Sequence, residues 1–166
     1  MNPEPTCCFT GPRPPRLPMN GNEFSADIAS LKVNIRSAVI DAYTEGFRFF
    51  MSGMAEGFDL FAAEIVLELK NKLSGIALVA VLPYSGAPKS HSSAINKRMA
   101  AVLEKADTVI SLSEKHVPGC EHLRNKYMVD NSTRIIGYYN GISGGTAHCW
   151  NYASEKNLEL VNLYEN

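Results

Sequence analysis

The sequence lacks most of the features that assign a chain to a class at sight. Its four cysteines, Cys7, Cys8, Cys120 and Cys149, show no C-x-x-C pairing. Buried free thiols are therefore expected rather than a disulfide framework. A zinc site built from Cys120-x-His122 and His148-Cys149 fits no common ligand spacing, and no metal is expected. The longest uninterrupted apolar run, Ile76 to Leu82, is far too short to span a bilayer. The start, MNPEPT, has neither a basic region nor an apolar core, so no secretory leader is expected and a cytoplasmic location is. Basic blocks are missing too. Lys and Arg number 16 against 17 Asp and Glu, and they are scattered, which does not advertise nucleic-acid binding.

Familiar catalytic and nucleotide motifs are also missing. No G-x-G-x-x-G follows the first strand, and neither glycine turn carries the Lys-Ser/Thr pair of a Walker A loop. G-x-S-x-G, H-E-x-x-H and EF-hand patterns do not occur. His91, His116 and His122 lie in or near polar loops and read as solvated.

What remains is a regular alternation. TCCFT (6–10) reads as a buried strand, ended by the proline-rich run from Gly11, which predicts an extended loop over 11–24. Ile28, Leu31, Ile35, Ala38, Val39 and Ala42 follow helical spacing up to a stop at Gly46. Strand two is Phe47–Ser52, followed by a helix over about 58–72. IALVAVL (76–82) is apolar on both faces, as a central parallel strand is. A third helix around Ile95–Leu103, a strand at 107–113, a short helix at 122–131 and a strand at 134–139 follow. A last helix opens after ISGGT (142–146) and runs to about Lys156, and LELVNL (158–163) reads as an edge strand. Strands alternating with helices indicate α/β architecture: a Rossmann-like, doubly wound, mostly parallel sheet with helices on both faces, here a single domain over 1–166.

Three strand ends carry suggestive loops at one edge of such a sheet: Gly11-Pro12-Arg13, Ser52-Gly53 with Gly57-Phe58-Asp59, and Ser143-Gly144-Gly145-Thr146. Glycine-bounded helix starts favour anions, usually phosphate, through free N–H groups and the helix dipole. Two of them beside an arginine suit a ligand with more than one phosphate, with a sugar or base between. Each feature also has a plainer reading. Gly11 and Arg13 could form only a turn, Gly144-Gly145-Thr146 only a cap, and Arg124 could be a solvated helix residue. Asp59 reads better as an acceptor of N–H bonds at the helix start than as a phosphate contact, because a carboxylate repels phosphate.

These residues resemble a known family. SGMAEGFDLFAAE (52–64) looks like the SG-small-A-x-G-x-D signature of DprA, and FTGPR (9–13) resembles its strand-one G-x-R. RNKYMVDNSTRIIGYYNGISGGT (124–146) resembles the R-x-x-M…GG-x-GT layout of the Lonely Guy (LOG) proteins. Together they point to the SLOG superfamily and to its small YpsA-like branch, with FTGxRP, SGMAxGxD, AVLPY, RNxYMVD and GGT in that order. The resemblance implies a Rossmann-like domain binding a nucleotide or nucleotide derivative, such as ADP-ribose or NAD, with no required cofactor and with room for a homodimer. By position, Gly11 and Arg13 would line the pocket, and Ser52, Gly53 and Gly57 would hold a phosphate or ribose. Asp59 would fix the loop, and Arg124 with Gly144, Gly145 and Thr146 would bind a second phosphate. Where LOG hydrolases carry a Glu after the glycine-threonine turn, Thr146 is followed by Ala147-His148-Cys149-Trp150. That departure favours binding over N-glycoside cleavage, which needs such a carboxylate. Glu56 is the one substitute nearby. LOG-like hydrolysis and DprA-like single-strand DNA binding stand as the alternatives.

Overall fold

The computed structural model describes residues 5–165; residues 1–4, where the leader reading falls, and 166 lie outside it. Six strands form one sheet: β1 (Thr6–Thr10), β2 (Phe49–Ser52), β3 (Ala77–Leu82), β4 (Thr108–Ser111), β5 (Arg134–Gly137) and β6 (Glu159–Asn162). Their order is β4-β3-β2-β1-β5-β6, and every pairing is parallel. Five helices connect them: α1 (Ala26–Thr44), α2 (Phe58–Lys70), α3 (Ser93–Lys105), α4 (Cys120–Asp130) and α5 (Gly145–Glu155).

Strand alternation sorts the core into two layers. Cys7, Phe9, Phe50, Leu78, Ala80, Leu82 and Ile136 point to the face packed by α1, α2 and α3. Cys8, Met51, Val79, Val81 and Ile135 point to the other, where Met128 and Val129 of α4 and Cys149, Trp150 and Ala153 of α5 cover them. Successive strand residues face opposite sides, so a run such as ALVAVL serves both layers at once. The doubly wound, three-layer α/β/α arrangement is thus present. All the residues proposed from spacing for the α1 core, Ile28 through Ala42, are buried.

Differences lie at the ends of elements. β2 begins at Phe49 rather than Phe47, because the Phe47 N–H turns back to the Ala42 carbonyl and closes α1, with Gly46 at φ 103°. The strands expected over 107–113, 134–139 and 158–163 are each four residues long. The proline-rich loop is not extended throughout. Pro14–Arg16 and Pro18–Gly21 form short 3-10 turns, each with proline at its start, where the fixed φ suits a helical turn and the missing N–H costs nothing. At the amino edge of the sheet, Arg134 is buried between Glu45 and Glu159, with its guanidinium over the Phe47 ring.

The strand order places the chain's reversal beside β1. From β1 the chain winds outward through β2 and β3 to β4, then returns to β5 on β1's other side. Helices after β1 and after β5 leave to opposite faces, which opens a crevice at the carboxyl ends of these two strands.

Candidate functional site

A cleft of about 340 Å³ occupies that crevice. Thr10, Gly11, Pro12 and Arg13 line it from the end of β1, and Pro15 and Arg16 from the turn that follows. Ala55 precedes α2 and Asp59 lies in its first turn. Glu121, His122, Arg124 and Asn125 come from α4, Tyr138, Asn140, Ile142 and Gly144 from the loop after β5, and Gly145 and Thr146 from the start of α5. The cleft therefore gathers Gly11, Arg13, Asp59, Arg124, Gly144, Gly145 and Thr146 from four separate segments. Ser52, Gly53 and Gly57 do not line it.

Those three residues build the wall behind the cleft. The Ser52 hydroxyl is fully buried; it donates to the Asp59 carbonyl at 2.9 Å and accepts the Met54 N–H. Gly53 is glycine because the Arg124 guanidinium lies across it. A Cβ there would sit 2.6 Å from Arg124 Cζ, and the Gly53 carbonyl accepts from Arg124 Nη1 at 2.8 Å. The left-handed residue of this turn is not Gly53 but Met54, at φ 65°. Gly57 does adopt a positive φ of 99°, and its Cβ position lies 2.8 Å from the Pro12 carbonyl. That carbonyl accepts the Phe58 N–H. The start of α2 is thus closed by Pro12 and by the carboxylate of Asp59, which takes the Ala55 N–H. Of this helix start, only Ala55 and Asp59 reach the cleft lining.

Helix α5 differs. Its N-cap is Gly144, at φ 148°, with no side-chain cap, and the first intrahelical donor is His148 to the Gly144 carbonyl. The N–H groups of Gly145 and Thr146 precede that bond and have no intrahelical acceptor. Arg16 Nη1 donates to the Ser143 carbonyl at 2.8 Å, which brings its guanidinium to this end of the cleft. Arg13 pairs with Glu121 at 3.2 Å, both side chains more than half exposed. An exposed pair of that kind contributes at most about 1 kcal/mol, so it leaves Arg13 cheaply available to an anion.

Arg124 and Asp59 form the floor. Arg124 is 6% exposed and is held by Gly53 and by Asn125 Oδ1, the latter 2.8 Å from Nε. Asp59 is equally buried, and burial pushes its carboxyl up to about 6 despite the opposing charges of Arg124 and Arg13. Burial also raises the Cys149 thiol behind it to about 11, so this cysteine is no nucleophile near neutral pH.

Several cleft residues carry no motif in the sequence. Arg16 sits in the proline run, where its one signal was a basic residue close after a strand end. Tyr138, expected in a strand, Asn140, expected in a turn, and Ile142, expected on the approach to the last helix, all lie in the loop between β5 and α5. His122 is exposed, as expected, and stands at the edge of the cleft with its ring 4.4 Å from that of His148. Among the described residues, no group of three or more His, Cys, Asp or Glu gathers as a metal site. Glu56 lies outside the cleft lining, its carboxylate hydrogen-bonded to the Ser90 hydroxyl.

Close packing at this edge gives a test of the geometry. A Cβ on Gly11 would fall 2.2 Å from Phe58 Cγ, inside a fully buried ring that cannot swing away. Gly11→Ala is expected to cost about 1–3 kcal/mol in urea unfolding, as overpacking does. A stability within 0.5 kcal/mol of the parent (roughly the scatter of neutral surface changes) would contradict the packing of β1 against α2.

The fold is shared with known structures at low sequence identity. DNA processing protein A from Helicobacter pylori, solved with regard to its single-stranded DNA binding mode, aligns over 99% of this chain and 67% of its own (TM-score 0.66, 16% identity). DprA from Streptococcus pneumoniae aligns over 95% and 49% (TM-score 0.64, 17% identity), and TM1055 over 94% and 72% (TM-score 0.57, 13% identity). By sequence, the SPbeta prophage-derived protein YoqJ of Bacillus subtilis (strain 168) is 30% identical over 66% of this chain and 71% of its own. The UPF0398 protein BH1768 of Halalkalibacterium halodurans is 28% identical over 68% and 60%, so the match leaves two fifths of that relative uncovered. No helix of the described residues is long and apolar enough to cross a membrane. A family model for the YspA SLOG family matches residues 7–164, nearly the whole described chain, and the protein belongs to that family.

Proposed function

We propose that the cleft binds a nucleotide or nucleotide derivative of the ADP-ribose or NAD kind, and that the protein acts by sensing it rather than by chemistry on it. One observation carries this reading: the uncapped start of α5, Gly144-Gly145-Thr146, opens into a switch-point cleft with Arg16, Arg13 and Arg124 around it. Helix N–H groups and guanidinium forks are the donors that phosphate oxygens match best. Pro15, Tyr138 and Ile142 add an apolar side on which a base can lie.

The test is a melting screen with AMP, ADP-ribose and inorganic phosphate. A ligand at a hundredfold excess over Kd stabilises by about 2.7 kcal/mol. Gly145→Ala is the diagnostic variant, since a Cβ there meets nothing within 4 Å in the protein yet enters the anion's place. It is expected to melt like the parent alone and to lose most of the ligand shift. No shift with any nucleotide rejects the proposal. Chromatography of the incubated nucleotide should return it intact; free base would turn the reading to hydrolysis.

The shared fold with DprA favours a second reading, single-strand DNA binding. The near-neutral charge weighs against it. Oligo-dT affinity that falls steeply with salt would support this reading, and none at low salt would remove it.

A further inference from the structure

We propose that Asp59 is a recognition residue whose carboxylate accepts a hydrogen bond from a ribose hydroxyl, so that the cleft selects ribonucleotides over their deoxy counterparts. The inference rests on the nucleotide reading above and adds to it the part of the ligand that reaches the floor.

Asp59 has one carboxylate oxygen on the Ala55 N–H, while Oδ1 finds no hydrogen-bond partner among the described residues. Arg124 is beside it, but Nη1 and Nε are already engaged by Gly53 and Asn125. A buried acceptor left without a donor is costly, more so when charged. Such a group at the floor of a cleft is explained by a donor that arrives with the ligand.

The donor's chemistry follows from the surroundings. A phosphate would be repelled by the carboxylate, and its place is at the α5 amides and the arginines. The apolar side chains, with Ile142 57% exposed, stand at the mouth and suit the base. The sugar joins phosphate to base and carries neutral O–H donors, so it is the part that reaches a buried carboxylate. An O–H to carboxylate bond is of the stronger, charge-assisted kind.

The groups facing Asp59 are Arg124 from α4, Arg13 from the loop after β1, Cys149 from α5, Cys8 from β1 and the Ala55 N–H. With both thiols held neutral by burial, Asp59 is the one of these groups, its carboxyl near 6, that changes charge between pH 5 and 7. Asp59→Asn separates its effect from that of His122, which lines the same cleft. The hydroxyl preference should therefore weaken as pH falls through 6.

Calorimetric affinities for AMP, 2′-deoxy-AMP, 3′-deoxy-AMP and inosine monophosphate, on the parent, Asp59→Asn and Asp59→Ala, test this. The parent is expected to bind AMP about 10- to 100-fold more tightly than one of the deoxy forms, the range a hydrogen bond to a charged group gives. Asp59→Ala should lose that ratio, with Asp59→Asn, which still accepts the Ala55 N–H, reporting if the alanine variant does not fold. Equal affinity for AMP and both deoxy forms in the parent overturns the inference and leaves the nucleotide reading standing. Discrimination against inosine monophosphate alone, lost in Asp59→Ala, puts a base amino group there and overturns it too. If AMP does not bind at all the inference fails, and the ADP-ribose melt decides whether the broader reading fails with it.

Discussion

Replacing Arg124 with methionine is expected to lower the unfolding free energy by about 2–3 kcal/mol at pH 7, the cost of leaving a buried acceptor without its donor and a nearby carboxylate without its counter-charge. The methionine fills much the same volume, so packing is not the main loss. What disappears is the donor to the Gly53 carbonyl and the positive charge beside Asp59, both in a site almost closed to water. The loss should be strongly coupled to Asp59. In an Asp59→Asn background, the same replacement strands no carboxylate and should cost far less. Equilibrium urea unfolding of the four proteins gives the coupling directly. If Arg124→Met costs under about 1 kcal/mol in both backgrounds, where surface ion pairs lie, the guanidinium is a solvated group and the account of Gly53 fails with it.

Asp59→Asn alone should make the protein more stable, by about 3 kcal/mol at pH 8. A carboxyl that titrates near 6 when folded, against 3.8 ordinarily, penalises the ionised folded state by roughly that amount. The sign follows from proton counting. Between pH 3.8 and 6 the folded chain holds this proton and the unfolded chain does not, so parent stability falls as pH rises through that window and is level above it. The variant has no such group, and its advantage should shrink to nothing by about pH 3, below both values. An advantage that persists at full size at pH 3, or a variant less stable at pH 8, would contradict the burial of an ionised carboxylate. Stability gained where ligand discrimination is lost is the pattern expected of a residue retained for binding.

Most of the architecture was legible because apolar spacing reports burial directly. The α1 stripe from Ile28 to Ala42 and the two-sided IALVAVL strand could each be read in one way only. Strand ends were less legible, since whether Phe47 pairs in the sheet or closes α1 depends on a tertiary contact with Ala42. Glycine was the ambiguous letter. Gly53 and Gly57 were read as ligand positions because a bare backbone lets a ligand approach, but it equally lets protein approach. Here Arg124 and Pro12 take the space. At Gly145 nothing does, and no local feature of the sequence separates the two cases. Arg16 and Ile142 could not be found because loop residues carry no period to follow. The family resemblance was right in the family and the fold, and the ligand remains a matter for the melting screen.

The reversal of the chain beside β1 has a consequence for synthesis. One rim of the cleft, Gly11 to Arg16, is synthesised well before the opposite rim, Asn140 to Thr146. The β1–β5 pairing that joins them spans more than a hundred residues of intervening chain. A nascent or truncated chain ending before β5 therefore has only one rim of the cleft. A ligand held between the two rims can act only on chains that carry both, so its presence during translation would favour chains extending past Thr146 over shorter fragments through mass action alone.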